Sequence, residues 1–178
     1  MTSFYSQYEL KGLGLKSFGK NVLISRKVSI YGPQNIEVGD NVRIDDFCIL
    51  SGNIKIGSHV HISAYSALYG KMGITMEDYT GISPRSTIFS AMDDFSGDFL
   101  IGPIHHECQI NVKGGPVILK RYSQIGAHCV VFPNITIAEG AVVGAMSLVN
   151  KSVPKWSIVV GIPAVFLKPR KSNLIDKL

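Results

Sequence analysis

The chain has 178 residues, 46% hydrophobic and 17% charged, with no low-complexity tract, which is a globular composition with room for one domain and a sizeable core. Its longest apolar window, Ser157 to Leu167, is broken by Gly161 and Pro163 and is too short to span a bilayer, and MTSFYSQYEL lacks the basic and apolar parts of a secretory signal. The net charge of +5 is uneven: from Asn111 onward nine Lys and Arg face two acids, whereas the first 110 residues hold nine bases and eleven acids. A basic C-terminal part suits a phosphorylated small ligand or nucleic acid, or simply a solvated surface.

In chain order, Ser6-Gln7-Tyr8-Glu9 has the form of a capping box and predicts a short helix ended by Gly12. Residues 1–17 are expected to cap an open end that would otherwise present unpaired strand edges. From Phe18 a period of six begins: Phe18, Ile24 and Ile30, then a step of eight across Gly32-Pro33 to Val38. Ile44, Leu50, Ile56, Ile62 and Leu68 restore the period, and a second step of eight around Met72-Gly73 leads to Met76, Ile82 and Ile88. Residues 93–115 contain no hexads, and a segment that long in a compact repeat domain is expected to be a functional arm, with Phe95, Phe99, Leu100 and Ile104 as its anchors. Leu119, Ile125, Val131, Ile137, Val143 and Val149 then stand six apart without a miss, and a basic tail follows Pro154.

Neither a helix nor a simple strand has a period of six. A fixed internal repeat means stacked copies of a unit that cannot bury its apolar face alone. Six residues suit one short strand and a bend, and three such strands make a triangular coil whose copies stack at roughly 4.8 Å. The first hexad position points inward. The fifth lies near a corner and carries small or aliphatic groups, as at Ser123, Cys129, Ile135, Ala141, Ser147 and Val153. The fold class is therefore all-β, a parallel β-helix over residues 18–170 with a short N-terminal helix, the arm 93–115 and a tail at 171–178. Cys48 and Cys129 fill fifth positions and Cys108 lies in the arm; three cysteines without evident partners fit a reducing, cytoplasmic compartment.

Ile125-Gly126-Ala127, Val143-Gly144-Ala145, Val149-Asn150-Lys151 and Gly161-Ile162-Pro163-Ala164 resemble the hexapeptide-repeat acyltransferases. The resemblance implies a left-handed coil, a homotrimer, and acyl transfer from acetyl-CoA at clefts between subunits, with no metal, nucleic acid or membrane span. The run from Asn41 to Gly70 is similar to enzymes acting on sugars of bacterial surface polysaccharides such as O-antigen, above all N-acetyltransferases of nucleotide-linked 4-amino-4,6-dideoxyglucose. Two departures stand out. Where galactoside and maltose acetyltransferases carry their catalytic histidine this chain has Asp93, and where a tryptophan often precedes the Ile-Gly pair it has Gln124.

On that resemblance Asp93 is the expected catalytic residue, with His105 or His106 on the arm as the alternative base. Gly126, Ala127, Gly144, Ala145, Lys151, Pro163 and Lys168 are expected along the cofactor, and Arg170 is a further phosphate partner. Arg85, Asp94 and Tyr65 are expected beside the acceptor. The two glycines also have a reading without a ligand, as turn geometry. His59 and His61 read as surface residues and His128 as an edge residue near the cofactor cleft; no pair of histidines has the spacing of the family's zinc sites. An O-acetyltransferase is the alternative enzyme. A structural or ice-binding solenoid would need a threonine ladder, which Thr75, Thr80, Thr87 and Thr136 do not form.

Overall fold

The computed structural model describes residues 3–177. Apolar first positions six apart leave the chain one way to bury them all, by turning inward three times per coil. It does so for about seven turns, as the left-handed parallel β-helix expected. The first face carries Ser17–Phe18, Ile36–Val38, Ile54–Ile56, Ile74–Met76, Val117–Leu119 and Thr136–Ile137 in parallel register. The second carries Leu23–Ile24, Arg43–Ile44, His61–Ile62, Gly81–Ile82, Gln124–Ile125, Val142–Val143 and Ile158–Val159. The third carries Ser29–Tyr31, Ile49–Ser51, Ala67–Tyr69, Thr87–Phe89, Val130–Val131 and Leu148–Val149.

The first positions from Ile44 to Val149 are almost wholly buried, while Phe18 and Ile30 at the open end are only half covered. Each buried Ile, Leu or Val contributes about 1.5–3 kcal/mol, so the column is the main source of stability. Leu10, from the helix Gln7–Leu10, is wholly buried over that open end. The expected capping box is present, with Ser6 and Glu9 exchanging hydrogen bonds, and Arg26 on the first coil donates to the Glu9 carboxylate. The Arg26 guanidinium and the Ser6 donors hold that carboxyl down at about 2. Among the described residues no helix is long and apolar enough to cross a membrane. Cys48 and Cys129 are buried and unpaired, and burial pushes the Cys48 thiol up to about 11.

Two features go beyond the hexad reading. Up to Trp156 the fourth hexad position at the first two edges, Lys27 excepted, lies in the left-handed backbone region, even where it is Asn, His, Phe, Tyr, Arg, Met or Trp. Along the first edge these side chains form a column. Asn21 donates to Asn41, Asn41 meets His59 at 3.4 Å, His59 stacks on Tyr79 at 4.6 Å, and Tyr79 stacks on Tyr122 at 5.5 Å. Tyr122 and Trp156 then close over Gly140, their centroids 6.4 Å apart. The other feature is that every departure from the period occurs at the third edge. Both steps of eight fall there, as the turn Pro33–Asn35 and as a bulge between Gly70 and Ile74. The arm leaves from there, and so does a step of four from Val149 to Val153. Val153 is thus on the first face beside Ile137 and not at a fifth position, a correction that the intact six-spacing before it concealed.

Gly140 has φ 64, and a Cβ there would fall 2.4 Å from the Trp156 ring. Gly140→Ala is expected to cost about 1–3 kcal/mol in denaturant unfolding, from the left-handed backbone and the ring clash together. Trp156→Ala in the same chain should restore part of it. A double variant no more stable than the sum of the singles predicts would show that the ring contact plays no part.

Candidate active site

The arm begins as the strand Ala91–Asp93, which pairs antiparallel with Val112–Gly114, so Asp93 lies opposite Val112. Between this ribbon and the third edge is a cleft of about 850 Å³. Its floor is the stacked pair Tyr69 and Phe89, with centroids 5.3 Å apart, and its arm wall carries Met92, Asp93, Phe95, Ile110 and Val112. Asn35, Asn53 and Lys71 come from the turn, from the strand Ile49–Ile56 where it rounds the third edge, and from the bulge there. The expected catalytic residue therefore opens onto a cavity of substrate size.

Asp94 does not. It is 6% exposed, and its carboxylate accepts from the Ser96 amide at 3.0 Å, Asn111 at 2.8 Å and Lys113 at 2.8 Å. The Lys113 ammonium and the Ser96 amide hold it far below the usual carboxylate range. These bonds tie the two strands of the arm together, so Asp94 is a structural post and not the acceptor contact expected from its place beside Asp93. The arm's apolar residues are also not the anchors they were expected to be. Phe95, Phe99, Leu100 and Ile104 are 39–86% exposed, because the ribbon stands off the prism and is held at its root by pairing and charge. His105 and His106 do not line the cleft. His106 lies in the turn at Glu107–Gln109, with its amide donating to Gln109 and its ring 3.3 Å from the Cys108 sulfur.

Of the expected cofactor residues, Gly126, Ala127, Gly144 and Ala145 lie on the second edge, across the width of the third face from Asp93. Asp45, Ser63, Ser83, Gly126 and Gly144 form one row, one residue past each second-face strand. The glycines there are required by coil stacking: a Cβ on Gly126 would lie 2.5 Å from the Ala145 nitrogen, and one on Gly144 would lie 2.4 Å from Val160. The next row offers donors, since the amides of Ala127 and Ala145 bond to no partner among the described residues. Tyr65 and Arg85 project from the same edge, with the Arg85 guanidinium 5.0 Å over the Tyr65 ring and Tyr65 stacked on Phe47 at 4.9 Å. Within one chain they face the cofactor rows and not the Asp93 cleft, because fourth positions of second-face hexads all emerge at the second edge.

Lys151 is exposed just past the third-face strand Leu148–Val149. Pro163 and Lys168 belong to a terminal hairpin, Ser157–Gly161 against Ala164–Pro169, and are exposed. Arg170 acts as a clasp on the coil's end: its Nη1 donates to the carbonyls of Tyr122 and Gly140 at 2.8 and 3.0 Å. Sequence reasoning also passed over a second groove, of about 440 Å³, on the second face. There Asp45 accepts from His61 and Arg43, each at 2.7 Å. Partial burial opposes the charged form of Asp45, but these hydrogen bonds outweigh it and the net direction is down. Among the described residues no three His, Cys, Asp or Glu side chains converge as a metal site would need.

Residues 35–70 match the family model of the bacterial transferase hexapeptide, six repeats. A dTDP-4-amino-4,6-dideoxy-D-glucose acyltransferase of Escherichia coli is 38% identical, over 98% of this chain and 92% of its own length. A galactoside O-acetyltransferase of Escherichia coli K12 is 26% identical, over 86% and 72%. A crystal structure of AntD, an N-acyltransferase from Bacillus cereus, in complex with dTDP-4-amino-4,6-dideoxyglucose and coenzyme A superposes with a TM-score of 0.97, at 54% identity over 99% of this chain and 95% of that one. With this repeat, this coil and this level of identity along nearly its whole length, the chain belongs to the hexapeptide-repeat acyltransferases.

Proposed function

We propose that this enzyme N-acetylates a nucleotide-linked 4-amino-4,6-dideoxyglucose with acetyl-CoA as cosubstrate, in bacterial surface polysaccharide synthesis. The observation that carries the reading is Asp93 in the large cleft, where the galactoside enzymes have a histidine. An aspartate has a reference pKa of about 3.9 against about 6.5 for histidine, and is the poorer base for a sugar hydroxyl. An amine is already nucleophilic as its free base and becomes cationic as it attacks. Asp93 would hold the amine by a hydrogen bond and stabilise that charge. The nitrogen bonds to the thioester carbonyl carbon, the carbon–sulfur bond breaks, coenzyme A leaves as the thiol, and the amine's proton balances the step. Amides at the second edge, Ala127 and Ala145, are suited to the pantetheine arm and to an oxyanion. Phe89, Met92, Ile110 and Val112 suit the methyl group of a 6-deoxy sugar better than a hydroxymethyl.

One further comparison supports Asp93 over its neighbour. Variants of the Bacillus cereus enzyme were made at a serine and at an aspartate ten positions apart. Ser83 and Asp93 have that spacing, whereas ten before Asp94 stands Pro84. Ser83 was not among the residues singled out from the sequence, because a serine in a corner row looks like any other. That enzyme also has a structure with 3-hydroxybutyryl-CoA, so the mass of the product is the direct measure of acyl length here.

The homotrimer rests on the faces. The row of outward side chains along the third face is Ser29 at the open end and then Ile49, Ala67, Thr87, Val130 and Leu148, with Tyr31, Ser51, Tyr69 and Phe89 at its third-edge margin, whereas the first face and its margins carry Lys16, Glu37, Lys55, Glu77 and Lys120. A ring that turns the third face inward covers the apolar strip. It also brings the third edge of one chain against the second edge of the next, so that Asp93 meets a neighbour's cofactor rows, with Tyr65 and Arg85 beside them. A heterologous contact that closes after three copies gives three equivalent sites.

Asp93→Asn, folded and still binding coenzyme A, is expected to lose at least about 100-fold in transfer to the amino sugar. Near-normal turnover, with loss in His105→Ala or His106→Ala, would reverse the assignment, and faster transfer to plain sugars than to amino sugars would favour the O-acetyl alternative. For the assembly, Asp93→Asn chains and Ala145→Trp chains, each inactive alone, should regain about a quarter of wild-type activity when mixed one to one and reassembled, because each site takes one residue set from each neighbour. No recovery in verified mixed trimers would place the whole site in one chain.

A further inference from the structure

The second step of eight in the sequence, which the repeat does not need, creates the bulge that carries Lys71. The bulge is held open on purpose-built bonds: the Met72 amide donates to the Ser90 hydroxyl at 2.8 Å, that hydroxyl donates to the Tyr69 carbonyl at 3.0 Å, and the Asn53 side chain donates to the Lys71 carbonyl at 3.4 Å. Lys71 is exposed on the rim of the large cleft. Lys16 and Lys113 are neutralised by Glu37 and Asp94, whereas Lys71, like Lys55 and Lys151, has no carboxylate within ion-pair distance among the described residues, and of these three only Lys71 lines the cleft. The residues that line the cleft include one cation, Lys71, and one anion, Asp93, and the two are not paired with each other.

Resting on the proposed function, we infer that Lys71 binds the diphosphate of the nucleotide-linked sugar and so selects the acceptor. The sugar in question carries opposite charges at opposite ends of its ring, an amine at C4 and a phosphate at C1. A cleft with an unpaired carboxylate at one place and an unpaired ammonium at another matches both ends at once. It leaves the stacked Tyr69 and Phe89 rings of the floor to meet the apolar face of the sugar. Lysine acts here as a point charge on a flexible stem, suited to phosphate oxygens that need no fixed fork. A free amino sugar would satisfy Asp93 and leave the ammonium unused, so it would be held more weakly.

The test uses the intact enzyme and Lys71→Met, which keeps the stem and removes the charge. Binding of dTDP, measured by calorimetry, is expected to weaken at least about tenfold in Lys71→Met, and KM for the dTDP-linked amino sugar to rise by a similar factor. Expected alongside are kcat within about twofold, an unchanged KM for acetyl-CoA, and partial rescue by Lys71→Arg. Unchanged dTDP affinity in a Lys71→Met protein that still binds coenzyme A would overturn the inference, as would a rise in KM for acetyl-CoA alone. Wild-type enzyme that binds dTDP through Lys71 yet acylates no amino sugar would instead overturn the proposed function and leave this inference standing.

Discussion

The structure depends on one constraint: each coil must close so that its three strands lie in register on the coil before. With strands stacked at about 4.8 Å, a surplus residue cannot be absorbed within a face, because it would turn the next first position outward. Surplus chain can leave only at a corner. Here it leaves at one corner, the third edge, in coil after coil, as a turn, a bulge and an arm. The other two edges keep strict spacing, which lets their fourth positions form columns. A left-handed non-glycine residue costs roughly 1–2 kcal/mol, and a stacked aromatic contact returns about 0.5–1.5 kcal/mol. The columns of Tyr, His and Trp on the first edge therefore come out near balance. They fix the register of coils whose stability comes from the buried Ile, Leu and Val.

The fold was legible because its signal is the period itself. Ile44 to Leu68 and Leu119 to Val149 are first positions in the sequence and buried in the structure. The capping box was equally local, four residues that satisfy one another. Less legible were features that involve different coils. That Gly126 must be glycine because the Ala145 nitrogen lies over it depends on residues nineteen apart, and that Gly140 serves Trp156 depends on a tyrosine from the coil before. The column was hidden because Asn21, Asn41, His59, Tyr79 and Tyr122 lie 18 to 43 residues apart in succession and share a position rather than a sequence pattern.

For the site, resemblance named Asp93, which does line the large cleft, but adjacency stood in for geometry at its neighbour. Asp93 and Asp94 are neighbours in sequence, yet one opens to the cleft and the other is enclosed by Asn111 and Lys113, because consecutive residues of a ribbon point to opposite sides. Arg170 looked like a free cation in a basic tail, and the coil's end carbonyls claim it. The arm's aromatic residues looked like anchors for the same reason that they are exposed: they are apolar surface with no partner in their own chain.

That last point joins the fold to the chemistry. An edge that sheds surplus chain builds a cleft open on one side, and an edge of strict spacing builds a flat row of backbone donors with nothing to close it. Neither encloses a reaction. They border the same face, and that face is apolar. In the proposed trimer, burying it would drive assembly by the ordinary hydrophobic term, roughly 25 cal/mol for each Å² removed from water. Because the two edges lie on opposite sides of the buried strip, a closed ring must set unlike edges together at every junction. In the proposed trimer the energy of association would also bring acceptor cleft and donor row to one another, and a chain that failed to associate would keep its fold and lose its reaction.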